Sequence, residues 1–254
     1  MEHLTSPFWQ RQPLLPLEIQ RFIRKRFEKA IHNPQERQHL VWPLILGSPG
    51  VRKNFTQGIP EEELFVQAAK MLAAVEVKEP SASWRYHQEL FPDTASMQEA
   101  GWSAHDSWRS WAPMVSLRIG WQLSSITGIN PGLDYDFRCG ISLFNNGLFF
   151  ECHDALEPLW LSAKGEEKLN LQSLILLAAG FHHIQHQNAA GAQAVWKDPL
   201  GRLKGQDRLT LSTGNLEIHE SLKALDCIAL ELDSGDASDW GKVWKQPKPR
   251  WNLT

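Results

Sequence analysis

The stretch LNLQSLILLAAGFHHIQHQN at 169–188 constrains this chain more than any other. Its first half is apolar on nearly every side, without the single stripe that marks a surface helix or the alternation that marks a half-buried strand. A helix of that kind has to be enclosed by others, so the segment is predicted as the central element of a helical bundle. Its apolar run around Leu174–Ala179 falls well short of the ~18 residues needed to cross a bilayer, and no membrane span is expected.

A partner helix precedes it. FNNG at 144–147 is a turn that opens a predicted helix over about 148–163, and SAKGEE at 162–167 is a connection carrying Gly165. A short connection obliges the two helices to run antiparallel. On the first helix His153, Glu157 and Trp160 stand at i, i+4 and i+7 and share one face, whereas Glu151 projects to another side, two residues being ~200° of rotation. With the middle of the connection at Gly165 to Lys168, residue 181 falls opposite His153 and residue 177 opposite Glu157. His182 and Ala178 then face the motif, and His186, one turn further, offers a second imidazole layer. Pro158 removes a backbone donor inside the first helix, freeing the carbonyl of Asp154.

Imidazole and carboxylate groups meeting between helices suit a divalent ion such as zinc, iron or manganese. The same groups equally suit a buried His-Glu-His hydrogen-bond network that locks two helices together. Helical spacing leaves both readings open.

Elsewhere the patterns are also helical. Pro16 stands at a favourable first position, and Ile19, Phe22, Ile23, Phe27, Ala30 and Ile31 repeat at helical spacing up to Asn33-Pro34, opposite a basic face that reads best as solvated. GSPG at 47–50 is a turn, and 59–77 is a second helix with glutamates at its N-terminal end. Five tryptophans between Trp84 and Trp121 are expected to fill a core rather than to form a stacking platform. His105-Asp106-Ser107 has the residue types of a catalytic triad, but neighbours in sequence point apart on a helix or a strand, so it is not read as one.

After the long helix pair come a short helix over 192–196, a polar glycine-bearing stretch from Asp198 to Gly214, and a last helix from Asn215 with Ile218, Leu222, Leu225, Ile228 and Leu232 in phase. The polar end, KQPKPRWNLT, is expected to dock loosely, with Trp240, Trp244 and Trp251 as the residues able to pin it to the surface. The fold class is therefore all-α. Asn130-Pro131-Gly132 divides an N-terminal helical region of unknown role (1–130) from a bundle domain (131–235), which is followed by a C-terminal tail (236–254).

A net charge of −3 gives no basic footprint for phosphate backbones, so nucleic acid is not an expected partner. Three widely spaced cysteines without a CxxC pair argue against a disulfide framework and a structural zinc site. With no apolar leader in MEHLTSPFWQRQP, a soluble cytoplasmic protein is expected. A protein partner and self-association both stay open.

The run from Gly147 to Ala192 resembles the domain-of-unknown-function family numbered 309, whose hallmark is a glutamate followed by HxxxExxW, here Glu151, His153, Glu157 and Trp160. Asn145 and Gly147, Gly165-Glu166-Glu167, Leu171-Gln172, His182, Asn188 and Gly191-Ala192 match in order. The resemblance implies a small helical bundle with a metal site and no assigned reaction. Its ligands here would be His153, Glu157, His182 and Glu151, supported by Trp160, Asp154, Gln172 and His186. Asp154 stands where the family usually has glutamate, which keeps the charge and shortens its reach.

Two functional classes follow. In one, the protein binds a divalent metal ion, and a metal-dependent hydrolase with Glu157 or Glu151 as base toward a bound water is the first enzyme class to consider. In the other it is a non-enzymatic protein-interaction module in which the cluster is a structural lock. A small-molecule site in a cleft beside the tryptophan cluster is a third, weaker reading.

Overall fold

The computed structural model describes residues 17–33, 36, 37, 40, 118–233 and 240–254. Contacts divide the chain into two compact units, one of them Pro13–Gly128 and the other containing Ile129–Thr254. In the first, helix α1 spans Leu17–His32, with Ile23, Phe27, Ala30 and Ile31 buried and Arg24, Lys25 and Lys29 exposed, as the spacing predicts. Residues 118–126 are also helical. The predicted helix at 59–77, the turn at 47–50, four of the five clustered tryptophans and the tripeptide 105–107 lie outside the described residues; Trp121 is half-buried.

The second unit carries the site. Helices α2 (Tyr135–Asn145), α3 (Phe149–Ser162), α4 (Gly165–Gln185) and α5 (Ala189–Leu203) follow one another with connections of a few residues. Helix α3 packs against α2 and α4, and α4 against α3 and α5, so α4 is central, as its apolar surface requires. Two glycines set these contacts. A Cβ on Gly140 of α2 would lie 2.7 Å from Leu156 Cδ2 on α3, and one on Gly180 of α4 would lie 1.8 Å from Trp196 Nε1 on α5. The indole of Trp196 reaches across that glycine to donate to the Leu177 carbonyl at 3.2 Å. Helix α5 begins at an Asn188 cap whose Oδ1 accepts from Gly191 N at 2.9 Å, satisfying a backbone donor that the first turn leaves unpaired.

The connection between α3 and α4 is shorter than the sequence suggests. Gly165, with φ +58°, opens α4 instead of punctuating a loop, and Glu166 and Glu167 occupy the first turn, where the helix dipole favours carboxylates. Likewise α5 begins at Ala189 rather than 192 and continues through Pro199 to Leu203.

The stretch Asp198–Gly214, expected to be irregular after the short helix, in fact ends α5 and then forms a β-hairpin. Strand β1 (Arg208–Leu211) pairs antiparallel with β2 (Gly214–Glu217), in register Arg208 with Glu217 and Leu211 with Gly214. Helix α6 (His219–Asp233), the short helix α7 (Trp240–Val243) and strand β3 (Asn252–Leu253) complete the unit, and β3 pairs antiparallel with β2. Mostly helical architecture is thus joined by one small sheet of order β1-β2-β3.

That third strand changes the account of the chain's end. Rather than docking loosely, Trp251 is fully buried and its ring stacks on Phe144, centroids 3.7 Å apart and planes within 4°. Asn145 grips its backbone from both sides, donating Nδ2–H to the Trp251 carbonyl and accepting from Trp251 N, each at 2.8 Å. Ser221 Oγ donates to the Arg250 carbonyl at 2.9 Å. The indole joins an aromatic cluster in which Phe144 also meets Phe149 and Phe181, and Phe181 meets Trp196.

Candidate metal centre

Helix α3 is launched by a fixed turn. Gly147 takes φ +75°, a conformation that L side chains rarely adopt, and Gln185 of α4, 1% exposed, donates Nε2–H to its carbonyl at 2.7 Å. That buried amide on α4 holds the start of the helix that bears the motif. Sequence reasoning passed over Gln185, although its place one turn beyond Phe181 puts it on the buried face of α4.

Along α3 the side chains of His153, Asp154 and Glu157 converge. A ring nitrogen of His153 and a carboxylate oxygen from each of Asp154 and Glu157 all lie within 4.8 Å of one another. His153 and Glu157 meet because they are one turn apart on one face; Asp154, adjacent in sequence, turns its carboxylate to His153 Nδ1 at 3.2 Å. Asp154 is 5% exposed, while His153 and Glu157 are half-buried, so the group opens toward solvent at one side. Asp154, expected as a supporting residue, is therefore part of the donor group itself. The exposed Pro158 stands where the Asp154 carbonyl would otherwise find its helical donor.

The other expected residues sit elsewhere. Glu151 is buried at 3% exposure but lies outside the donor group, as does His182. Helix α4 pairs Phe149 with Phe181, Phe150 with His182 and Gly147 with Gln185, so His182 lies roughly half a turn nearer the start of α3 than the expected register put it. Phe150 is the shared neighbour: its ring is 6.3 Å from that of His153, nearly parallel, and 5.3 Å from that of His182. His186 stacks edge-on against His182 at 4.5 Å, forming the expected imidazole pair on α4. Trp160 lies at the α3–α4 corner with Lys168 Nζ 5.0 Å over its ring, and Gln172 is exposed in a groove on the opposite flank of α4, toward α5.

Cys152, between Glu151 and His153, is fully buried; burial first, and then the charges of Glu151 and Asp154, push its thiol well above the usual range. It is a packing residue in the protonated form. All three cysteines are free.

One imidazole and two carboxylates form a donor set of the kind that holds zinc, iron or manganese. The residues thus fit a divalent ion. Among the described residues no helix is long and apolar enough to cross a membrane. No curated protein and no solved structure matches the chain. Residues 137–195, a stretch that holds α3 and nearly all of its packing partners, match the model of the family described as a domain of unknown function (DUF309).

Proposed function

We propose that the protein binds a divalent metal ion, zinc, iron or manganese, through His153 and Glu157 on α3 with Asp154 beside them. The observation that carries the reading is the convergence of an imidazole nitrogen and two carboxylate oxygens within 4.8 Å at a half-open position. Asp154 Oδ1 lies 3.2 Å from Nδ1 of His153, so an imidazole nitrogen and a carboxylate already share one side of the group. His182 and Glu151 are the further donors to be tested by substitution. A bound ion would supply Lewis acidity to a water molecule, and Glu157 or Glu151 is the base within the same helix, which makes metal-dependent hydrolysis the first reaction class to assay.

Elemental analysis of protein purified without an affinity tag tests this. The parent is expected to carry close to one equivalent of metal, lost in His153→Ala and Glu157→Gln, with His182→Ala and Glu151→Gln reporting whether those residues complete the site. No stoichiometric metal after supplying zinc, iron and manganese in turn overturns it.

A second reading has its own support. His153 and Asp154 are already hydrogen-bonded to each other, as a structural lock requires. In that case the domain is a non-enzymatic interaction module, and His153→Ala removes one hydrogen bond of a buried Asp154 carboxylate at a cost of about 0.5–1.5 kcal/mol. The metal reading instead predicts that the melting temperature rises on adding metal to the parent and stays unmoved by metal in His153→Ala.

A further inference from the structure

On the flank of α4 that faces α5, away from the motif, lies an open groove of about 460 Å³, within the roughly 300–1,000 Å³ typical of small-molecule sites. Its floor is Ser173 and Pro199, both buried, with the serine hydroxyl committed to the Leu169 carbonyl at 2.9 Å. Leu169 and Leu176 give it apolar walls, and Leu169 is 39% exposed. The polar groups left to meet a ligand are the amide of Gln172 from α4 and, from α5, the carboxylate of Asp198 and the guanidinium of Arg202.

Asp198 and Arg202 are the telling pair. They stand at i and i+4, with the acid on the N-terminal side, the order in which oppositely charged residues on a helix ordinarily bond to each other. They do not do so here, and neither side chain pairs with any described residue. Two opposite charges about one helical turn apart, both lining the same groove, present complementary ends to a ligand that carries an anion and a cation at short separation. The guanidinium fork matches a carboxylate bidentately, the Asp198 carboxylate matches an ammonium, and the Gln172 amide can donate to one end or accept from the other. The leucine walls then cover an apolar substituent between them.

We propose that this groove binds the zwitterion of an apolar α-amino acid, with its carboxylate on Arg202, its ammonium on Asp198 and its side chain against Leu169 and Leu176. The site is separate from the metal centre, so either can fail without the other.

Titration of the full chain by calorimetry, with L-leucine as the probe, tests the assignment. Saturable millimolar or tighter binding is expected, and L-leucinamide, which lacks the carboxylate, and 4-methyl-2-oxopentanoate, which lacks the ammonium, should each bind about tenfold more weakly or worse. Glycine, lacking the apolar substituent, should also bind more weakly. Because both charged residues are exposed and pair with no side chain among the described residues, Asp198→Asn and Arg202→Gln should melt with the parent, yet each should weaken L-leucine binding by about tenfold or more. Absence of saturable leucine binding overturns the proposal. So does equal binding of either single-charge analogue, or binding that survives both substitutions.

Discussion

Removing the indole of Trp251 should unlock the C-terminal strand from the bundle. The ring is fully buried and stacked on Phe144, and full-length tryptophan truncation at such a site costs about 3–5 kcal/mol. For a chain of this size each kcal/mol moves the midpoint by about 2–4 °C, so Trp251→Ala should lower the melting temperature by roughly 6–20 °C. Asn145→Ala acts on the same strap by a different route. It strands the Trp251 N–H and carbonyl that Asn145 holds, at a cost of about 1–3 kcal/mol. Without the indole the strap no longer stays seated, and Asn145 then has nothing to grip. The double variant should therefore be less destabilised than the sum of the single ones, by about 1 kcal/mol or more. Urea denaturation followed by far-UV circular dichroism on parent, both single variants and the double variant gives this cycle directly. A Trp251→Ala protein that melts with the parent, or two costs that add in full, would refute the account of a docked strap.

Two further perturbations have a sign worked out from the structure. Gly180→Ala, which in an exposed helix would stabilise by about 1 kcal/mol, should here destabilise by about 1–3 kcal/mol, because the new methyl falls 1.8 Å from Trp196 Nε1 and pushes the indole off the Leu177 carbonyl; a raised melting temperature would contradict the packing of α4 on α5. Glu167 in the first turn of α4 accepts from the hydroxyl and backbone N–H of Ser212 in the hairpin, and these bonds, the side-chain one foremost, hold its carboxyl below the usual range. A carboxyl depressed in the folded state stabilises above its unfolded pKa and loses that contribution as pH falls through its folded pKa. The difference in melting temperature between parent and Ser212→Ala should accordingly be full near neutrality and shrink in acid below the ordinary glutamate range, and a gap that is constant or widens in acid counts against it.

What could be read from the sequence follows the reach of each interaction along the chain. The antiparallel pair was legible because a helix apolar on all sides admits one kind of neighbourhood, and because His153 and Glu157 are brought together by four residues of helix, whatever the rest of the fold does. The position of His182 depended on where the connection ended. Taking Gly165 as a loop residue lengthened that connection, and the error carried through to the pairing of His182 with Phe150. Glu166 and Glu167 were the available signal, since acidic residues in series suit a first helical turn. In the hairpin, the alternation of Leu209 and Leu211 with polar neighbours was present, but four-residue strands are too short for periodicity to stand out from a polar stretch. The docking of Trp251 left almost no local trace. Its partners Phe144 and Asn145 lie more than a hundred residues away, and nothing in KQPKPRWNLT distinguishes a buried tryptophan from an exposed one. Asn145 stands out in the family resemblance beside the motif, yet the structure shows it serving the far end of the chain, so the turn that launches the motif-bearing helix also anchors the C-terminal strand.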